Sequence, residues 1–222
     1  MNNNVLSRVF HIKYGNSEGT CFTIDVEHHQ YIITAKHVVP NLQTGDYVLF
    51  YRNGQWLKTI ATLIGHSEIA DISVFSITAK LGGLPLVPSM DKIRYGQDLY
   101  FLGFPYGIKS EMGDVNRDFP VPLVKKAILS AIMTDGPART MLLDGNSNPG
   151  FSGGPVIFME DGTVNYKIAG IVSGYRYDWA DTIIDGTLTP MKSRVNTGII
   201  IAHDISHALD MIRANPLGKS LL

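Results

Sequence analysis

Short apolar runs and alternating apolar and polar positions dominate the chain almost to its end, the spacing of strands with one buried face. "VFHIKY" (9–14), "GTCFTIDV" (19–26) and "YIITA" (31–35) each read as strands, with "EHHQ" as a turn between the last two. "DYVLFYRNGQWLKTIATLIG" reads as a hairpin, because Asn53-Gly54 between two β-rich runs suits a two-residue turn at positive φ. "DISVFSI" (71–77) adds a strand, after which the Gly- and Pro-rich "AKLGGLPLVPSMDKIRYGQ" (79–97) predicts a crossing linker. Strands resume with "DLYFLGF" (98–104), "VKKAILSAI" (124–132) and "RTMLLD" (139–144), the first two separated by a long polar loop, "KSEMGDVNRDFPVP" (109–122). "PVIFMEDGTVNYKIAGIVSGY" (155–175) predicts a second hairpin turning at Asp161-Gly162, "DTIIDGTLTPMKSRVN" a loop, and "TGIIIA" the last strand. Only the end changes period. Ile205, Ala208, Leu209 and Ile212 at i, i+3, i+4, i+7 predict a helix at about 204–214, capped by Asp204 and stopped by Asn215-Pro216.

The pattern is two blocks of about six short strands, a linker near the middle and a terminal helix. It predicts an all-β fold of two six-stranded antiparallel β-barrels, residues 1–90 and 91–222, with a C-terminal α-helix. A chain of 222 residues is long enough to bury such cores. With 19 basic and 20 acidic residues there is no cationic surplus, so nucleic acid and anionic membrane are not expected partners. No apolar run approaches the roughly 18 residues of a membrane span. Cys21 is the single cysteine, so the fold forms without an internal disulfide, which favours a reducing compartment. The start, "MNNNVLSRVFHIKYG", lacks the basic and then apolar segments of a secretory leader; the expected location is the cytoplasm.

"GNSNPGFSGGP" (145–155) surrounds Ser152 with backbone freedom. Such residues also build ordinary turns. A serine hydroxyl becomes a useful nucleophile only beside a base, commonly histidine, whose ring titrates near working pH. His37 follows a buried-looking strand in "TAKHVV", and Asp71 opens "ADISVFSI". Each alone reads as structural: a satisfied histidine, a strand-edge cap, a turn serine. In the order His37, Asp71, Ser152 they match a known triad order, with base and acid in the first block and nucleophile in the second. "HDISH" (203–207) touches a zinc-binding pattern, but Asp stands where Glu is needed and a cap at Asp204 leaves His203 off the helix, so no metal site is expected. His28 and His29 fall in a turn, and Cys21 in an apolar strand reads as packed.

These motifs resemble those of the trypsin-like (chymotrypsin-fold) serine endopeptidases, and most of all the bacterial HtrA-type branch without its PDZ domain. "TAKHVV", "ADISVFSI" and "NPGFSGGPV" look like the family's histidine, aspartate and nucleophile motifs; "FLGFPYG" and "NTGIIIAHDI" also match. The likeness spans roughly residues 17 to 213. It implies a double β-barrel, hydrolysis of peptide bonds in a protein or peptide substrate, and no cofactor. It makes the amides of Gly150 and Ser152 the oxyanion donors. It makes "IAGIVSG" the cleft strand, with Ser173 near the acid, Gly174 beside it and Tyr175 narrowing the pocket. Asn146 falls at the pocket base; being uncharged, it points to a small or medium apolar side chain before the cut. Phe151 stands where the digestive members carry Asp, so activation by insertion of a new N-terminus is not expected. The resemblance assigns loop 109–122 a gating role. A protease fold kept as a peptide- or partner-binding module, and an esterase, are the rival readings. The substrate, any regulatory protein partner and the oligomeric state are left open by the sequence.

Overall fold

A computed structural model describes residues 3–110 and 119–222. After a short helix, α1 (Asn3–Leu6), six strands form the first sheet: β1 (Val9–Tyr14), β2 (Ser17–Val26), β3 (His29–Thr34), β4 (Tyr47–Arg52), β5 (Gln55–His66) and β6 (Ser73–Ile77). The order β3-β2-β1-β4-β5-β6 is closed by pairing of β3 with β6, giving a six-stranded antiparallel barrel. One of its three two-residue connections is the expected Asn53-Gly54 turn, where both residues take positive φ, 51° and 74°.

The second sheet contains β7 (Val87–Pro88), β8 (Asp98–Gly103), β9 (Leu123–Met133), β10 (Thr140–Asp144), β11 (Pro155–Met159), β12 (Tyr166–Ile184) and β13 (Thr187–Asp204). Six of these run β11-β8-β9-β10-β13-β12, and pairing of β11 with β12 closes the ring; β7, within the expected linker, adds to β12 in parallel. The hairpin predicted at Asp161-Gly162 is present between β11 and β12.

The stretch 181–196, expected to be a loop, is instead the far end of a long β12–β13 hairpin. Asp185-Gly186 turns it, again with both residues at positive φ, 48° and 77°. Beyond residue 176 this ribbon has no sheet beneath it, and Tyr177, Trp179, Ile183, Ile184, Leu188 and Met191 are exposed. With neither face buried, no hydrophobic alternation is imposed, and periodicity reads it as irregular.

The terminal helix, α2, spans Ser206–Ala214. Asp204 is not its N-cap. It ends β13, although its carboxylate does accept the Ser206 amide at 2.8 Å. α2 and a last strand, β14 (Lys219–Ser220), return to the first sheet, where β14 pairs with β3. Ala208 and Ile212 of α2 join Phe22, Ile24 and Ile33 of the barrel and Ile157, Ile168 and Ile171 of the second sheet in one shared core. Arg8, fully buried, clamps the linker as it leaves the barrel. It donates two hydrogen bonds to Asp25 (2.9 and 2.7 Å), one to the Leu84 carbonyl (2.7 Å) and one to the Gly83 carbonyl (2.6 Å).

Candidate active site

β3 ends at Thr34, and Ala35, still extended, leads into a single 3-10 turn, Lys36–Val38. Val38 is buried and anchors this turn, which leaves His37 facing out with its side chain about half exposed, 51%. Lys36 Nζ donates to the Ser67 carbonyl at 2.9 Å, tying the turn to the segment that delivers Asp71. That segment is itself shaped by Ser67 Oγ, which accepts the Ala70 amide at 3.0 Å.

Asp71 binds His37 twice. Its Oδ1 accepts the His37 backbone amide at 3.0 Å, and its Oδ2 meets His37 Nδ1 at 2.6 Å. An ionised carboxylate only accepts, so Nδ1 carries the hydrogen and a neutral ring presents its Nε2 lone pair outward. Oδ2 also accepts the Ser173 hydroxyl at 2.7 Å. Burial would raise the Asp71 pKa, but the hydrogen bonds from His37 and Ser173 outweigh it and hold the carboxyl below its usual range.

Ser152 comes from the loop before β11. Its Oγ donates to the Ser173 carbonyl at 3.1 Å, so Ser173 touches both nucleophile and acid. Among the described residues no hydrogen bond joins Ser152 Oγ to the His37 ring.

The loop is stitched to both sheets. The Gly153 amide donates to the Val172 carbonyl (2.7 Å), and the Thr20 amide to the Ser152 carbonyl (2.9 Å). A Cβ on Gly153 would lie 2.1 Å from the Thr20 carbonyl oxygen at φ +83°, so only glycine allows this approach. Thr20, buried in β2, donates its hydroxyl to the Gly150 carbonyl (2.7 Å) and accepts the Phe104 amide (3.0 Å).

The Pro149–Gly150 segment, where an oxyanion donor is expected, is oriented by the turn at Pro105–Gly107. The Tyr106 amide donates to the Pro149 carbonyl at 3.0 Å. A trans peptide points its C=O and N–H in opposite directions, so the Gly150 N–H faces away from that turn. Among the described residues neither the Gly150 nor the Ser152 amide donates to a protein acceptor.

The remaining expected residues fall around this point. Ser173, Gly174 and Tyr175 lie in sequence on β12, half-buried, and a Cβ on Gly174 would meet open space. Asn146 is exposed, and its carbonyl accepts Lys125 Nζ, which also reaches Asn148 Oδ1 at 3.4 Å. Phe151 is fully buried edge-on to Phe101, with ring centroids 4.8 Å apart. The gating expected of loop 109–122 rests largely on residues 111–118, which lie outside the described residues. His207 accepts the Arg139 amide at 3.0 Å and His203 Nδ1 lies 3.3 Å from Thr140 Oγ1; among the described residues no group of side chains could hold a metal ion.

Thr20, Lys125 and Tyr106 were not visible as site residues in the sequence. Thr20 sits 130 residues from Gly150 and 84 from Phe104, so no local pattern connects them. Tyr106 at φ 53° left one faint trace, its place before a glycine in "FPYG".

A comparison with curated protein sequences finds no match. Among solved structures, the fold is similar to Rv3671c from M. tuberculosis. The inactive serine-to-alanine mutant aligns at 18% identity over 97% of this chain and 91% of the other, TM-score 0.62. The active form aligns at 18% over 98% and 84%, TM-score 0.63. The HtrA-type protease AlgW with a tripeptide aligns at 20% over 95% of this chain and 60% of its own, TM-score 0.61. The family model described as a trypsin-like peptidase domain matches residues 19–164, which include His37, Asp71 and Ser152. The chain therefore belongs to the trypsin-like peptidase family and is a serine endopeptidase.

Proposed function

We propose that His37, Asp71 and Ser152 are the catalytic triad, acting on a protein or peptide substrate without a cofactor. One observation carries this reading: Asp71 Oδ2 accepts both His37 Nδ1 and the Ser173 hydroxyl, while the Ser173 carbonyl holds Ser152 Oγ. Side chains from distant parts of the chain thus meet at one residue of β12. The Ser152 hydroxyl rests on Ser173, and rotation about its χ1, between staggered positions, turns it toward His37 Nε2. His37 then takes the proton as Oγ attacks the carbonyl carbon. The tetrahedral oxyanion accepts hydrogen bonds from the Gly150 and Ser152 amides, worth about 3 kcal/mol each in comparable sites. His37 returns the proton to the leaving amine. A water activated by the same ring then hydrolyses the acyl-enzyme. Asp71 keeps the ring in its Nδ1-protonated tautomer and stabilises the imidazolium.

The acyl half of the substrate lies along Ser173, Gly174 and Tyr175. With no charge at Asn146, a small or medium apolar side chain is accepted before the cut. Residues 1–90 and 91–222 act as two six-stranded barrel units with the site between them; the closed strand order of each sheet supports this, while β7 and β14 each cross to add a short strand to the other unit's sheet. The cytoplasm is the working compartment, in keeping with the buried free thiol of Cys21.

A fluorophosphonate probe tests the core of the proposal. Ser152 should be labelled in the wild type, with labelling lost in Ser152→Ala and peptide hydrolysis falling at least about 10⁴-fold. No labelling of the wild type under any condition would leave a binding module.

A further inference from the structure

Beside Gly150 lies an open cleft of about 300 Å³ lined by Glu18, Phe104, Tyr106, Gly107, Pro149 and Gly150, with no lining residue from β12 among the described residues. The size is at the lower end for ligand pockets. Among the described residues its one acid is Glu18, which projects from β2, and the adjacent Gly19 is close to the Ser152 loop: a Cβ there would lie 3.0 Å from the Ser152 carbonyl oxygen.

Glu18 Oε1 lies 2.6 Å from His11 Nε2, within ion-pair range but not aligned as a hydrogen bond, and would sit 3.5 Å from a Cβ on Gly107. His11 is buried between aromatic rings, stacked on Phe104 at 5.0 Å and tilted against Trp56 at 4.8 Å. The Glu18 side chain keeps 40% of its surface exposed, towards solvent and the cleft. Burial lowers the His11 pKa, and the nearby Glu18 only partly offsets this. The neighbouring cation, Lys109, lies over the Tyr51 ring at 4.2 Å and lowers the His11 pKa slightly further.

The substrate's direction then decides the role of this acid. With the acyl half along Ser173–Tyr175 and the reacting carbonyl at Gly150, the leaving half must pass over β2 and the Pro105–Gly107 turn. We propose that this cleft is a leaving-side subsite and that Glu18 makes it select a basic side chain, Lys or Arg, within the first two residues after the scissile bond. The inference rests on the triad reading for its direction. It adds a specificity that Asn146 and the other pocket residues do not supply. The flat wall of Tyr106 and Pro149 receives the aliphatic stem, and the Glu18 carboxylate receives the charged head.

The test uses internally quenched peptides identical except for the two residues after one cut, which are basic, alanine or acidic, with the cut position read by mass spectrometry. The wild type should favour basic over alanine about 3- to 5-fold in kcat/KM, the range expected of a partly exposed ion pair, and disfavour acidic similarly. Glu18→Gln should flatten the series, and Glu18→Lys should reverse it. No charge preference in the wild type, or one that survives Glu18→Gln, overturns the proposal. A second measurement is independent of turnover: fluorescence anisotropy of the same peptides on the Ser152→Ala protein, with and without Glu18→Gln. If the wild type cleaves nothing, the triad reading fails. The subsite then stands if basic peptides bind more tightly than acidic ones only when Glu18 is present, and falls if the two bind alike.

Discussion

The two sheets supply the proposed active site in different ways. The first delivers His37 from a strand end and Asp71 from a short turn, and ties one to the other with two direct hydrogen bonds and the Lys36–Ser67 contact. Base and acid are complete within one barrel. The second sheet delivers Ser152 from a loop of glycine, proline and asparagine whose position is borrowed from its neighbours: Thr20 and the Ser152 carbonyl contact on one side, Val172 and Ser173 on the other. The difference teaches where this enzyme is vulnerable. Perturbing the acid–base pair changes chemistry at a preassembled unit, whereas perturbing the stitches between sheets misplaces the nucleophile while both sheets remain folded.

The sharpest way to break that distinction is Gly153→Ala. The added methyl meets the Thr20 carbonyl oxygen at 2.1 Å and forces a left-handed φ on an L-residue. Overpacking and backbone strain each cost about 1–3 kcal/mol. Urea denaturation should show a loss of about 4 kcal/mol, with probe labelling at Ser152 abolished even in the folded fraction.

Next comes a change confined to the first barrel and the linker. Asp25→Asn leaves the buried Arg8 guanidinium without its counter-charge, which should cost about 3–5 kcal/mol in unfolding free energy. Specific activity of the protein that remains folded should be unchanged. Burial works against ionisation of Asp25, but hydrogen bonds from Arg8 and Gln30 outweigh it and depress its pKa. A depressed carboxylate contributes stability above its unfolded pKa of about 3.9 and loses it as pH falls through the folded value. The wild type should therefore lose stability steeply below about pH 4, and Asp25→Asn less steeply.

Thr20→Val removes the hydroxyl that joins Gly150 to Phe104 and leaves both groups buried without that partner. A stability loss of about 1–3 kcal/mol is expected. If the Gly150 amide stabilises the oxyanion as proposed, kcat should fall 10-fold or more while KM changes little; an equal effect on KM would argue that the stitch holds substrate instead. Ser173→Ala should be milder. It removes one of the bonds accepted by Asp71 but keeps the Ser173 carbonyl that holds Ser152, so a drop in kcat of about tenfold is expected, equivalent to roughly 1.4 kcal/mol. Smallest of all, Trp179→Ser, far out on the exposed β12–β13 ribbon, should change stability by less than about 0.5 kcal/mol and leave labelling intact.

Strand positions in the two rings were legible in the amino-acid order for two reasons: β4 and β9 alternate buried and more exposed positions, while β2, β3, β6 and β11 are buried almost along their length and show as short apolar runs. The Asn53-Gly54 turn was legible because its φ values require those residue types. Asp185-Gly186 is an equally good turn signal, yet its flanks have no buried face to set a rhythm, and the ribbon was read as a loop. The residue types and order of the proposed triad could also be picked out of the sequence, since a weak nucleophile, a titrating base and an acid are chemically constrained. Other features were decided only by the tertiary structure: that Thr20 reaches Gly150, that Tyr106 turns the Pro149 carbonyl and so aims the Gly150 amide, and that Ser173 joins acid to nucleophile. Local spacing cannot encode those contacts, because each joins segments whose approach depends on how two closed sheets pack against each other.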